Sequence, residues 1–544
     1  MSSDTTRSSV TVIESDRRSA NFVDHDLERE IAREEKAFES YGGDDPHEPP
    51  DNKDEEQAEV NMVTWDGPDD PTNPHNWSKP YKWFITVICC VMTVNVTFAS
   101  SAPTSASTHI AKEFGVSAEI SYLITTLFLI GYVVGPMIWG PGSELLGRRP
   151  IFWVAMTCYT LFHLGQALAP NMETLLVTRF FAGVFAVAPL TNCGGVIADI
   201  WDAAGRGLAT SLFVACVFVG PVLGPIVAGY IVESYLGWRW VFWIMMIFAG
   251  TCTVIMLFTL PETFAPVILQ NKARRLRRVE PERNQKLYAE HERLDWSFSG
   301  VIHRTIYRPF YMLYKEPILV LVTIYISVVY GVLYALFEAF PVIFIEKRHF
   351  TIAQNGLIFI GVGIGSTIGS LLNMWFSLHY PRLIKEWKGF PPPEERLYGA
   401  MLAGPSLVIG VFWLGWTGQY PSVPWYVPAI GTILIGMSVA LIFVSLLAYL
   451  IDTYLMYSSS AFAVNTMIRS AVAAAFPLFT VQMFTKLGVN WASTLLGIIG
   501  IVLTPSPFLF YKFGARIRAG STFAPGIDLR IAKELELEKQ AGTA

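Results

Sequence analysis

Charge is scarce in this chain of 544 residues. Asp, Glu, Lys and Arg make up 16% of it, against about 25% in soluble domains. A single soluble core is therefore excluded as the main architecture. Cysteine is sparse too: Cys89, Cys90, Cys158, Cys193, Cys216 and Cys252 all fall inside apolar runs without metal-ligand spacing, so they read as reduced packing residues. The nine histidines form no ligand pair on one helix face, and no nucleophile–base pair stands out. The sequence has no Gly-Lys dipeptide, so no phosphate-binding P-loop can be written. These absences argue against an enzyme, an ATP-driven pump and a resident cofactor, and no nucleic-acid partner is expected.

What is present is apolar. Hydrophobic residues are 52% of the chain and mean hydropathy is +0.39. They come in runs of about 20, the length that crosses a roughly 30 Å hydrocarbon core. Twelve runs lie near 83–103, 119–139, 151–170, 174–198, 208–231, 237–260, 317–340, 354–377, 398–418, 426–450, 460–483 and 490–511. The expected fold is an all-α membrane protein of twelve transmembrane helices, divided as 81–260 and 317–511 by a linker at 261–316.

The net charge of −5 hides a split. Residues 1–80 hold 21 acids and 8 bases, a net of −13, and the remainder holds 24 acids and 32 bases, a net of +8. The first segment reads as a disordered acidic tail, and 512–544 as a second tail. Arg148 and Arg149, the run Lys272–Arg278, the bases of 379–397 and Lys512, Arg516 and Arg518 share one side of a twelve-span layout. That side is then cytoplasmic, with both termini. The stretch 267–294 reads as an amphipathic helix on the membrane, its basic run as an anchor or a lipid-headgroup site.

The motif Gly140-Pro141-Gly142-Ser143-Glu144-Leu145-Leu146-Gly147-Arg148-Arg149-Pro150 separates the second and third runs. It is a short turn carrying one acid and two arginines at the lipid surface, where ions need partners. Glu144 is expected to pair with Arg148, and Asp199, Asp202 and Arg206 to join them in a gate. The corresponding loop of the second half, Pro381 through Arg396, is proline-rich and reads as a degenerate copy, which makes the latch asymmetric.

Six plus six helices with this turn resemble the major facilitator superfamily, whose signature loop between helices two and three carries an aspartate where Glu144 stands. Leu175 through Gly183 resembles that family's helix-four motif, which implies a proton-coupling role for Arg179. Gly220-Pro221-Val222-Leu223-Gly224-Pro225, followed by Gly229, resembles the antiporter motif of helix five. The segments Asn73 through Ser78, Pro261 through Pro266, Glu316-Pro317, Phe337 through Pro341 and Asn465 through Arg469 are similar to the fungal drug:proton antiporters with twelve spans. The resemblance covers about residues 70–518. It implies a monomeric plasma-membrane exporter of small amphipathic molecules (drug, toxin or secondary metabolite), driven by a proton gradient without a cofactor. A nutrient importer in the same fold and a non-transporting sensor are the alternatives.

Polar and aromatic residues within spans supply the expected substrate cavity: Asn95, Tyr330, Tyr334, Phe337, Glu338, Asn373, Asn465 and Arg469. Glu338 is the best protonatable group within a span, near the outer end of the seventh run. An outer-mouth carboxylate and a coupling site are both open for it.

Overall fold

The computed structural model describes residues 62–279, 287–293, 300, 302–387, 389–524, 526–529 and 531–532. Twelve long helices organise them. The first six are α1 (Lys79–Ser101), α2 (Ala118–Leu146), α3 (Arg148–Ala167), α4 (Met172–Ile200), α5 (Ala203–Glu233) and α6 (Arg239–Thr259). The next four are α7 (Pro317–Phe340), α8 (Ile352–Phe376), α9 (Tyr398–Gly418) and α10 (Tyr426–Tyr454). The helical stretch Ser458–Leu503 breaks at Gly488, where φ is 79°, into α11 (458–487) and α12 (489–503). The second of these continues through the helix Pro505–Arg518.

Ten segments are long and apolar enough to cross a membrane. The difference from twelve has two physical causes. Ser458–Arg518 is one such segment but carries both α11 and α12. Helix α3 is not among the ten: it opens on Arg148 and Arg149 and buries His163 and Gln166, so polarity masks it.

Helix starts follow local chemistry. Asn171 caps α4 by accepting from the Thr174 amide, Asp202 caps α5 through the Gly205 amide, and Thr351 and Gln354 form a reciprocal capping box on α8. Each satisfies amides that the first turn leaves without partners. The turn between α2 and α3 is tighter than expected. Helix α2 runs through Gly140, Pro141 and Gly142 to Leu146, and Gly147 alone makes the turn, with φ of 95°. Only glycine adopts that angle without strain, and a Cβ there would also overlap the Glu262 carboxylate.

The first six helices meet the last six mainly where α2 packs along α11 and α5 along α8. We call the end carrying Lys79 and Arg518 proximal and the opposite end distal. Bonds between the halves lie from mid-depth toward the distal end. The Tyr334 hydroxyl donates to Ser100 Oγ at 2.9 Å, Thr126 Oγ1 to the Ala474 carbonyl at 2.9 Å, and the Ala353 amide to Glu233 at 3.0 Å. The molecule is thus closed distally.

Glycine makes the α1–α5 contact possible. A Cβ on Gly220 would overlap Thr97, and one on Gly224 would overlap Ser101. The repeat therefore brings two backbones together. Gly229 faces the opposite half, where a Cβ would meet Ala353 Cα at 3.0 Å. Gly224→Val is expected to lower stability by about 1–3 kcal/mol through overpacking, read as a drop in melting temperature of the purified protein.

Two expectations change at the proximal end. Residues 62–80 are ordered rather than part of a disordered tail; residues 1–61 lie outside the described residues. The Asp70 carboxyl is held down at about 2 by the Thr72 hydroxyl and by the Asp66 and Thr72 amides. The linker helix spans Ala265–Val279 rather than reaching 294; residues 280–286 and 294 lie outside the described residues. Its apolar residue Ala273 packs with Val63 and Ala289. Lys272 binds Asp66 at 2.6 Å and Arg277 binds Glu292 at 2.6 Å. Part of the basic run is thus neutralised by the chain's own acids, which weakens the case for a lipid-headgroup site.

Candidate functional site

Polar clusters lie at three depths, proximal, middle and distal. The proximal one is built on Arg148, the first residue of α3. Its Nε donates to Asp199 at 3.2 Å and its Nη1 to Ser143 Oγ at 2.8 Å. Its guanidinium lies 4.9 Å from the Phe264 ring. The Glu262 carboxylate accepts the backbone amides of Arg148 and Arg149 at 2.9 and 3.1 Å and so caps α3. Thr263 Oγ1 adds a bond to Asp199 at 3.2 Å. Segment 262–264, reached after α6, therefore locks the α2–α3 turn to the end of α4.

This corrects the expected pairing. Glu144 is exposed and makes no ion pair among the described residues. Glu144 and Arg148 are four apart, but the Gly147 turn places them on different helices, so the helical i,i+4 relation fails. Asp199 takes the arginine instead. Asp202 caps α5 rather than joining the cluster, Arg149 stacks on Trp153 at 4.5 Å, and Gly140 lies within α2. The side chain of Arg206 lies outside the described residues.

The loop expected to be degenerate is, in the structure, as fully paired. Arg396 Nε donates to Asp452 at 2.8 Å, as Arg148 does to Asp199. In both halves the arginine precedes or opens a third helix and the aspartate lies near the end of a fourth. Tyr380 donates to the same aspartate at 2.5 Å. Arg518, fully buried, binds Glu394 at 2.8 Å and Asp528 at 2.7 Å. Burial pushes the Glu394 carboxyl above its ordinary range even beside this arginine. Sequence spacing held the signal: the arginine–aspartate separations are 51 and 56 residues. Proline content obscured it.

The middle cluster holds Arg179 of α4 and Arg469 of α11. Arg179 is wholly buried, which excludes snorkelling to an interface. Its Nε donates to the Ile124 carbonyl and its Nη2 to the Ala99 carbonyl, each at 3.0 Å, and its guanidinium lies 4.1 Å over the Phe128 ring. Arg179 thus ties α1, α2 and α4 together. Arg469 lies 5.5 Å from the Tyr330 ring and 5.2 Å from that of Phe443. Tyr330, Tyr334 and Phe337 form one ladder on α7, with centroids 5.0 and 5.4 Å apart. Asn465 donates to Thr323 at 3.3 Å.

Two expected cavity residues face elsewhere. The Asn95 side-chain amide contacts Cys252 of α6, and its backbone carbonyl accepts from Tyr159 of α3, so it lies inside the first six helices. Asn373 accepts from Ser445 of α10. It shares a face with Gly365 and Gly369, which press on α10. Conversely, the structure brings in Tyr132, Phe443 and Phe218, which the sequence reading does not include. Phe218 of α5 meets Phe443 of α10 at 5.3 Å and joins the halves. A phenol within the second run was the available sign for Tyr132.

The distal cluster surrounds Glu338. It lines a cavity of about 100 Å³. Thr104, Ser105 and Tyr122 come from the first half and Phe337 and Asn355 from the second. Glu338 is buried and has no cationic partner among the described residues. The structure thus places it at the interface between the halves near the distal end, as its position in α7 implied.

A family model described as Major Facilitator Superfamily matches residues 87–477. The chain is 43% identical over 477 residues to the citrinin biosynthesis cluster MFS transporter of Monascus ruber, covering 86% of this chain and 93% of that protein. It is 42% identical over 483 residues to an MFS-type efflux pump of Trichophyton rubrum, covering 88% and 80%. Among solved structures it resembles the xylose transporter XylE from E. coli in a partially occluded inward open conformation, with a TM-score of 0.58, 17% identity, and coverage of 80% and 98%.

Proposed function

The chain belongs to the major facilitator superfamily, and we propose that it exports a small organic molecule in exchange for protons by alternating access. Relatives named for biosynthesis clusters and for efflux support export, of a secondary metabolite or drug, over import. We take the proximal end as cytoplasmic, from the lysine and arginine bias, and the membrane as the plasma membrane. The distally closed structure is then sealed from the exterior.

One observation carries the coupling: closing the distal end buries Glu338 without a cation. A buried unpaired carboxylate is costly in a membrane. Closure therefore favours the protonated form, while an open exterior mouth lets the carboxylate ionise. Taking a proton from outside promotes closing, and releasing it inside resets the cycle. No chemistry is done on the cargo. The Arg148–Asp199 and Arg396–Asp452 pairs hold each half rigid at the proximal end as the halves rock.

Glu144 is unpaired in this closed state and is the group left to bind the opposite half in the other. Glu144→Ala is therefore expected to leave stability within about 0.5 kcal/mol, while slowing transport severalfold with the same substrate preference. A changed substrate profile in a parallel efflux panel would count against a gate role. Export itself is tested in cells lacking their own pumps. Expression should lower retained substrate, and a protonophore should restore it. Efflux indifferent to the protonophore would remove the antiport reading.

A further inference from the structure

The middle cluster has more positive charge than the cycle above uses. Arg179 and Arg469 are both buried, and neither forms an ion pair with a carboxylate among the described residues. Arg179 Nη1 and Arg469 Nε are sealed from solvent and have no hydrogen-bond partner. The terminal nitrogens of Arg469 likewise have no bonded acceptor among the described residues, and unlike Nε they are not among the sealed, unpartnered atoms. A guanidinium stays charged under all working conditions, so the charge cannot be removed by deprotonation. The Phe128 ring under Arg179 at 4.1 Å meets the Tyr132 ring at 5.2 Å. Rings of Tyr330 and Phe443 flank Arg469 at 5.5 and 5.2 Å. The Asn465 side-chain oxygen Oδ1, one turn before Arg469, is also unpartnered.

Two unpaired cations among aromatic rings at the meeting of the halves are incomplete without an anion. We propose that the transported molecule is an aromatic organic acid whose anionic group docks on Arg469, with Arg179 reinforcing the field and Tyr330, Tyr334 and Phe443 holding the ring. This rests on the transporter reading and sharpens it, because the aromatic and polar residues alone suit neutral amphipathic compounds as well. Arg469 belongs to α11, and Arg179 to α4 of the other half. The tyrosine faces supply stacking area. A planar guanidinium can bind a carboxylate through two parallel bonds, which gives the site a geometric preference as well as a charge preference.

Binding to the purified full-length protein in detergent tests this without requiring transport. The probes are benzoate, 2-hydroxybenzoate and 1-naphthoate, each beside its neutral carboxamide, at pH 7. At least one acid should bind about tenfold more tightly than its amide, the difference a charge-assisted bond confers. In Arg469→Gln that ratio should collapse to about twofold or less while amide binding persists, which shows that the site is folded. Arg469→Lys should keep most of the ratio. If no acid outbinds its amide, or Arg469→Gln leaves the ratio intact, the anion site is wrong. Acid preference without efflux from proteoliposomes would support the anion site and overturn the exporter reading instead.

Discussion

Glu338→Gln is expected to uncouple the transporter. Glutamine mimics the protonated acid, so the variant should still close and should still exchange labelled for unlabelled substrate across a vesicle membrane. Net movement driven by a pH gradient should fall roughly 100-fold, because an unpaired carboxylate within a membrane costs about 3 kcal/mol and each 1.4 kcal/mol is a factor of ten. Glu338→Asp should retain part of the driven rate. The reason lies in the cavity: residues of both halves, Glu338 among them, line about 100 Å³, so parting the halves is expected to expose the charge that their meeting buries. If the glutamine variant keeps its response to a pH gradient, the coupling proton is carried elsewhere.

Arg518→Leu is expected to have the largest effect on stability. Arg518 forms the two most buried ion pairs among the described residues, its side chain 1% exposed and those of Glu394 and Asp528 9% each. Removing one member of a buried pair typically costs 3–5 kcal/mol, because the partner is left charged and alone. Two carboxylates are stranded here, so the loss should be visible as a lower melting temperature at pH 8. The sign of the pH dependence follows. Burial already raises the Glu394 carboxyl, and Arg518 opposes that rise. Without the arginine the folded value moves further above the unfolded one. Its destabilising contribution is then full at alkaline pH and is relieved as pH falls through the raised value. The deficit of Arg518→Leu should therefore shrink between pH 8 and pH 5, and adding Glu394→Gln should recover part of it. A deficit independent of pH would mean that lost packing, not stranded charge, is responsible.

Much of the architecture was legible because a bilayer demands it. Runs of about 20 apolar residues mark helices whatever their neighbours, and the Gly147 turn, the Gly220 and Gly224 repeat and buried Arg179 all fall where their local sequence implied. What was not legible depends on tertiary contact. The partner of Arg148 is Asp199, 51 residues away, and not the nearby Glu144. Glu262 looked like part of a connecting segment, yet it caps α3 across 114 residues. Asn95 and Asn373 are polar residues in spans, but face supporting helices, and a single helix gives no absolute reference for which face meets the cavity. The pairing of Arg396 with Asp452 needed comparison of the two halves as copies, since proline-rich composition concealed the repeat.

The most direct test of proton exchange uses proteoliposomes loaded with a transported substrate and a pH-sensitive dye. An outward substrate gradient, with no pH gradient imposed, should acidify the lumen as protons enter against departing cargo. Acidification should depend on substrate and vanish in Glu338→Gln. Substrate leaving with no change in luminal pH beyond that of empty vesicles would contradict the exchange of cargo for protons.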